Sequence, residues 1–438
     1  MPEIDLLVIG AGMAGLTAAA RAATQGLRTV VAEVAEDVGG SARFAGYAWT
    51  APSREVIDEV DPLGDETLRH TLVDKFADGV EWIRSVGVDV MPAVQVLGFG
   101  RGHQFDTNHY VDACRRVVVE NGGEVRLRTR TERLLVSEGR VVGAVLTGPG
   151  GTEEVRARWT LLATGGFQND PELVEELVGR AASSMLVRSN PTSAGAGYRL
   201  GTTVGASTGG KDAGFYGHLI PSGVPFASPA DFVDLSLYYS EHALLFNLRN
   251  ERFADETLGD HLTTMELFDQ PEARGLLVCD SRVFRQWVVG SYVEGAVAVD
   301  KFALASRRGG RVGLAETLDE LDYLPEEWGY DGPTIRAAIE AFNATAASGG
   351  VHSPARAKDP TALVDGPWYV IECVPAITFP FHGLRIDSEA RVLDAEDAPI
   401  PGLLCAGSDT GGLFQRAYAG GLAAALVFGL QAAATAGT

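Results

Sequence analysis

Cysteine is scarce in this chain of 438 residues: there are four, Cys114, Cys279, Cys373 and Cys405, far apart and without a CxxC pair. That spacing excludes a cysteine-held metal cluster and a disulfide framework, and buried thiols in a reducing compartment are the expected state. Basic residues are outnumbered as well. Lysine and arginine total 36 against 58 aspartates and glutamates, a net charge of −22. Such a surface repels phosphate backbones and anionic membranes, so neither nucleic acid nor lipid is an expected partner. No apolar stretch reaches membrane-spanning length; even Gly420 to Ala434 is short and rich in alanine and glycine. The chain enters a strand within four residues of Met1, which leaves no room for a secretory leader, and a cytoplasmic protein is expected. Internal repeats are absent, and so is low complexity outside the alanine-rich carboxyl terminus.

What is present is a globular composition, 46% hydrophobic and 21% charged, over a length that exceeds one compact core and predicts two domains. The richest information lies in the first forty-seven residues. A strand, Ile4 to Ile9, runs into Gly10-Ala11-Gly12-Met13-Ala14-Gly15, then a helix, then a strand that ends at Glu33 and Val34. In a dinucleotide-binding βαβ unit the first glycine makes the tight turn, the second admits the pyrophosphate to the backbone, and the third lets helix and strand pack closely. The acidic residue about twenty positions on receives the ribose hydroxyl, and Glu33 stands where that role requires. A glutamate there also disfavours NADP, whose extra phosphate it repels.

A second glycine-rich loop follows at once: Gly39-Gly40-Ser41-Ala42, then Gly46-Tyr47. It lets the backbone follow a longer cofactor than NAD, the pyrophosphate and ribityl chain of FAD. FAD is therefore the expected cofactor. A second GxGxxG is missing, since Gly195-Ala196-Gly197 follows no clear strand and reads as a turn. No haem or iron–sulfur motif occurs, so any further electron acceptor or donor is external.

Periodicity predicts helices over Leu68 to Val86 and Asn108 to Asn121, and strands at Val125 to Leu127, Glu132 to Val136 and Arg140 to Leu146. Trp159 to Leu162 reads as a buried parallel strand closed by the small residues Ala163-Thr164-Gly165-Gly166. From about Gly209 to Ala355 the chain is richer in aromatics and charge, as an inserted domain would be. Strands return at Tyr369 to Val374 and Leu384 to Asp387, and a small-residue helix starts at Gly421. The expected fold is α/β, a Rossmann-like FAD-binding domain in two segments, 1–208 and 356–438, with an α+β capping domain, 209–355, inserted between them.

Several segments together carry a resemblance. Gly383-Leu384-Arg385-Ile386-Asp387, Ile400-Pro401-Gly402-Leu403, Ala406-Gly407-Ser408, Ala163-Thr164-Gly165-Gly166-Phe167, and Asn247 with Glu251-Arg252-Phe253-Ala254-Asp255-Glu256 resemble, in order and spacing, the flavoprotein family of fumarate reductase, 3-ketosteroid dehydrogenase and tricarballylate dehydrogenase. The likeness covers nearly the whole chain. It implies FAD in a split domain, with a small-molecule substrate held between cap and flavin. By the same resemblance Thr131 offers its backbone to the adenine, Ala163, Thr164 and Gly165 line the pyrophosphate side, and Gly407 and Ser408 hold the ribityl chain. Gly421-Leu422-Ala423 presents a helix amino terminus to the flavin pyrimidine, where exposed N–H groups stabilise negative charge. No histidine precedes His70, so the glycine-rich loop cannot supply a histidyl tether and the FAD is expected to be non-covalent.

Oxidising or reducing a C–C bond needs a hydride path to flavin N5, a proton donor or acceptor at the neighbouring carbon, and charge stabilisation. Three clusters are candidates. Arg416 and Tyr418 precede the flavin-facing helix, where Arg416 suits a carboxylate clamp and Tyr418 proton exchange. His382 follows Phe379-Pro380-Phe381 at a position that resembles a family glycine. Tyr239 and His242, in the insertion, are expected to approach from the substrate side. Glu256 falls in the part of the cap that closes over substrate in fumarate reductases, and it also suits helix capping.

Departures from the fumarate reductase pattern restrict the substrate. The family's arginine shortly after the Asn-Glu pair is absent from Thr257-Leu258-Gly259-Asp260-His261, and its His-Thr pair is replaced by Phe379, Pro380 and Phe381. A ring-bearing or largely apolar substrate suits these replacements better than a small dicarboxylate. The expected activity is an FAD-dependent dehydrogenase or reductase acting on a C=C bond beside a carbonyl or carboxylate. Alternatives are a tricarballylate-type polycarboxylate dehydrogenase and a non-catalytic redox flavoprotein. Oligomeric state is not legible.

Overall fold

The structure is a computed structural model that describes residues 4–179, 185–226, 231–290 and 298–438. The chain divides into two compact units: residues 1–179, 189–215 and 379–438 form the first, and residues 180–188 and 216–378 the second. The return to the first unit thus comes at 379 and not at the expected 356. Its cause is the long strand Trp368–Pro380, which pairs with Gly275–Cys279 and Val312–Ala315 over residues 368–373.

In the first unit Ile4–Ile9 lies between Thr29–Ala32 and Gly151–Leu162, parallel to both, with Glu124–Arg126 and Pro399–Cys405 continuing the parallel sheet outward. Leu6, Leu7 and Val8 are completely buried, as a central parallel strand covered on both faces must be. Arg391–Leu393 adds an antiparallel edge. Arg130–Ser137, Arg140–Gly148 and Gly151–Leu162 form an antiparallel meander continuous with the parallel sheet. The helix Met13–Thr24 is alanine-rich, and the terminal helix Gly421–Ala436 packs on it. A Cβ at Gly429 would meet the Ala14 carbonyl oxygen at 2.7 Å, so the small side chains are what permit the approach.

The second unit is built on a six-stranded sheet centred on Trp368–Pro380, which pairs with Leu186–Val187, Phe215–Pro221, Gly275–Cys279 and Val312–Ala315; Leu244–Asn247 completes it beside Gly275–Cys279. Its core packs Leu244, Phe246, Leu276, Val278, Ile335 and Ile339. All four cysteines are buried and none is in a disulfide. No helix among the described residues is long and apolar enough to cross a membrane.

Candidate active site

The glycines after the first strand differ in what surrounds them. Gly10 has φ +103°, and a Cβ there would come within 2.3 Å of the Ala163 carbonyl oxygen; a Cβ at Gly15 would come within 2.0 Å of the Gly10 oxygen. Both are packing glycines. Gly12 is different, for its nearest neighbour on that side is the Gly39 oxygen at 3.9 Å. It also caps the helix Met13–Thr24 without any side-chain hydrogen bond, so the first helical amides face an open side suited to a pyrophosphate. Met13, Ala14 and Ala42 are buried around this turn. Gly40 has φ +51°, and Ser41 accepts from the Asn190 backbone at 3.2 Å, which fixes the second glycine loop.

Glu33 is buried, and its two carboxylate oxygens accept from the Ala11 and Ala35 backbone amides at 2.7 and 2.8 Å. Each oxygen keeps a lone pair for a ribose hydroxyl. Val34 beside it is exposed. Gly46 has open space on its Cβ side, and Tyr47 begins the strand Tyr47–Thr50. Thr131 Oγ1 is buried with no hydrogen-bond partner. These features fit FAD: an open glycine, an uncapped helix end, an anchored carboxylate and a buried hydroxyl left unsatisfied at Thr131.

A residue that sequence reasoning missed organises the far side. Asp409 is buried and accepts from the Thr164 amide, from Thr164 Oγ1 at 3.0 Å and from the Gly166 amide at 2.9 Å. Burial pushes its carboxyl above the usual range, while these donors pull it down. The effect is to tie the Ala163–Gly166 turn to the Gly407–Ser408 turn. The signal was a carboxylate immediately after Gly407-Ser408.

Gly407, Ser408 and Gly421, with Phe379, Phe381, Leu413 and Phe414, line an open cleft of about 320 Å³, solvent-facing space included. Gly421 starts the terminal helix, with Leu422 half-buried and Ala423 buried in its first turn. Tyr418 stands in an aromatic cage, 5.3 Å from Trp49, 5.7 Å from Phe414 and 6.1 Å from Phe379 between ring centroids. Its hydroxyl oxygen accepts from the Gly421 amide at 2.8 Å. Arg416 is exposed, adopts φ +55°, and donates its backbone N–H to the Ala213 carbonyl at 2.8 Å. A non-glycine residue held in this region stores backbone strain and aims its side chain. Asp61, also missed, fastens this loop: it is completely buried, accepts from the Gln415 amide at 3.1 Å, and burial pushes its carboxyl up to about 6.

The other expected groups lie elsewhere. His382 is buried beside Phe167 and Tyr198, 6.4 and 5.8 Å between centroids, and does not line the cleft. Its neighbours Phe379 and Phe381 take that wall. Burial lowers the His382 imidazole below its ordinary value. In the second unit Tyr239 is not at a surface: the turn Tyr238–His242 points it into the hydrophobic core, where burial raises its phenol well above normal. His242 stacks on Trp287 at 3.7 Å, with Nδ1 2.8 Å from Asp359 Oδ2. Glu256 is completely buried between Arg252 Nη2 at 2.6 Å and Arg356 Nη1 at 3.1 Å, an ion cluster, while Asp255 supplies the cap to Thr257.

The βαβ turn, the open glycine face and the second glycine loop define a dinucleotide-binding flavoprotein. The chain matches the FAD binding domain family over residues 5–422 and belongs to it. It binds FAD and is an FAD-dependent oxidoreductase. Among curated relatives, fumarate reductase (cytochrome) of Shewanella frigidimarina is 25% identical over 444 residues, 95% of this chain and 74% of that one. The 4-oxocyclohexanecarboxylate 2-dehydrogenase of Sinomonas cyclohexanicum is 26% identical, over 95% and 89%. In fold, the chain is similar to 3-ketosteroid Δ1-dehydrogenase from Sterolibacterium denitrificans, with a TM-score of 0.79, 18% identity and full coverage of both chains.

Proposed function

We propose that this protein introduces, or in reverse reduces, a C=C bond beside the carbonyl of a cyclic, largely apolar substrate, with FAD held non-covalently. The observation that carries this reading is the aromatic part of the cleft lining, Phe379, Phe381 and Phe414, in the same cleft as Gly407, Ser408 and Gly421. An apolar wall favours a hydrocarbon ring by burying its surface, and gives a di- or tricarboxylate nothing to pair with. FAD, when bound, supplies the hydride exchange. Tyr418, whose oxygen accepts from Gly421 and which stands among Trp49, Phe379 and Phe414, is the phenol proposed to exchange a proton with the substrate. Arg416, on its strained loop, adds a positive charge for a carboxylate or a polarised oxygen. His382 borders this region through Phe381 and acts by packing. Tyr239 supports the second unit's core, and His242 remains a candidate for the substrate-facing side of that unit. The electron acceptor or donor is external, and the site is one in a cytoplasmic enzyme.

The test is anaerobic bleaching of the flavin absorbance. Cyclic ketones such as 4-oxocyclohexanecarboxylate or 4-androstene-3,17-dione are expected to bleach it, and succinate and tricarballylate to leave it unchanged. Bleaching by the polycarboxylates alone would establish the polycarboxylate reading in its place.

A further inference from the structure

We propose that Asp61 is a positioning residue for the cleft: the proton on its buried carboxyl holds the loop from Gly412 to Arg416, and with it Phe414 and Arg416, in the arrangement that takes up the ring substrate. The inference rests on the ring-substrate reading above and adds to it a residue that acts only through the loop.

Asp61 closes the helix Arg54–Val60, its amide donating to the Ile57 carbonyl at 2.9 Å. Gly64 and Asp65 then lead into the helix Glu66–Ser85. This corner meets the loop along its length. The Asp65 amide donates to the Gly412 carbonyl at 2.8 Å, and the Gln415 amide donates to Asp61 Oδ1 at 3.1 Å. Between these two bonds the Leu413 carbonyl oxygen lies against Gly64. A Cβ at Gly64 would collide with that oxygen and with Asp61 Oδ2 alike, so the two oxygens border the space that a side chain would fill. Leu413 and Phe414 line the cleft, and Arg416 follows two residues on.

The second carboxyl oxygen is the sensitive one. Asp61 is completely buried, and its Oδ2 has no hydrogen-bond partner. Ionised, Oδ2 sets a negative charge near the partial negative charge of the Leu413 carbonyl, without water to screen it. Protonated, it sets an O–H donor near a carbonyl acceptor, while Oδ1 still accepts from Gln415. The neutral acid therefore grips the loop, and the carboxylate loosens it.

The charged groups around this corner leave that balance to Asp61. Arg69 is buried, but its donors are committed: Nε to the Gly64 carbonyl at 3.0 Å, and Nη1 to the Ile57 carbonyl at 3.2 Å and Asp58 Oδ1 at 2.7 Å. His70 Nε2 shares Asp58 at 3.0 Å, and the Asp65 carboxylate turns away to accept from the Leu68 amide. Glu59, Glu66 and Arg416 are exposed. Burial pushes the Asp61 carboxyl up to about 6, against the pull of the Gln415 amide, Arg69 and the Gly64 amide. The held loop is thus favoured at low pH and loses that advantage as pH rises through about 6. A substrate that binds the held loop in turn favours the neutral acid, so binding and proton uptake support each other.

The experiment uses the FAD-loaded full chain, labelled with 15N-glutamine, as wild type, Asp61→Asn and Asp61→Ala. Without substrate, the Gln415 amide signal, assigned by its absence from Gln415→Glu, is expected to titrate in wild type with a midpoint of about 6. In Asp61→Asn it is expected to stay still, because the side-chain amide offers Leu413 a permanent donor. With an uncharged cyclic ketone that bleaches the flavin, wild-type KM is expected to rise about fivefold or more from about pH 5 to about pH 7.5, with kcat within about threefold. Asp61→Asn should keep the low KM across that range, and Asp61→Ala should show the high KM throughout. A Gln415 signal in wild type that does not titrate, or an Asp61→Asn enzyme that keeps the wild-type rise in KM, overturns the proposal. Should no cyclic ketone bleach the flavin, the ring-substrate reading fails, while the Gln415 titration alone still decides whether Asp61 grips the loop.

Discussion

The hydroxyl oxygen of Tyr418 accepts a hydrogen bond from the backbone amide of Gly421, 2.8 Å away. A side chain three residues before the terminal helix thus satisfies the first of its orphan amides, a task usually given to an N-cap hydroxyl or carboxylate. Gly420, in the cap position, has no side chain to do so. Sequence reading placed Tyr418 beside that helix as a reactive phenol; the structure adds that the phenol is anchored to it.

Tyr418→Phe should therefore cost about 1 kcal/mol of stability, the ordinary loss for a helix cap, and lower kcat by about tenfold or more. Thermal denaturation and steady-state kinetics check the two effects. A variant with unchanged Tm would mean that water replaces the phenol on the Gly421 amide at no cost.

Arg416→Ala is expected to raise KM at least tenfold with kcat little changed, since its charge meets the ground state and the transition state alike. Arg416→Gly tests the backbone separately: glycine adopts φ +55° without strain, so it should lose affinity yet gain a few tenths of a kcal/mol in stability. Equal losses of kcat and kcat/KM for Arg416→Ala would make the arginine a transition-state group.

For the cofactor, Glu33→Ala should weaken FAD binding by about 1–3 kcal/mol, because it strands the Ala11 and Ala35 amides as well as the ribose hydroxyl. Titration of apoprotein with FAD measures this. Acid precipitation of the wild type should release all the flavin into the supernatant; colour retained by the polypeptide would reveal a covalent bond.

How much of this was legible follows from which contacts are local. The turn from Gly10 to Gly15, Glu33 at the end of its strand and the helix from Gly421 were readable because each depends on residues within about twenty positions. Asp409 and Asp61 were not, since their partners at Thr164 and Gln415 are 245 and 354 positions away. Tyr239 misled for a related reason. Spacing shows that an aromatic lies next to a strand, but only the three-dimensional turn decides that it points into the core. His382 was read as a site residue from its neighbours, and those neighbours form the cleft wall in its place.

Asp61 gives a pH prediction. Its carboxyl is pushed up to about 6 from 3.8, with burial the largest cause. A raised acid pKa contributes stability below pH 3.8 that is lost as pH rises through about 6, about 2–3 kcal/mol for a shift of this size. Asp61→Asn removes that dependence and keeps an oxygen for the Gln415 amide. Its stability relative to wild type should thus climb between pH 4 and 7 in denaturant titrations. A constant difference across that range would show that Asp61 titrates normally.

The most direct measurement of the central claim is product analysis after one anaerobic turnover of the FAD enzyme with 4-oxocyclohexanecarboxylate, set beside succinate and tricarballylate at the same concentration. The account predicts stoichiometric loss of flavin absorbance and one equivalent of a ring enone from the cyclic ketone, and neither signal from the two acyclic acids. Flavin reduction by succinate or tricarballylate, with the ring ketone recovered unchanged, would contradict it.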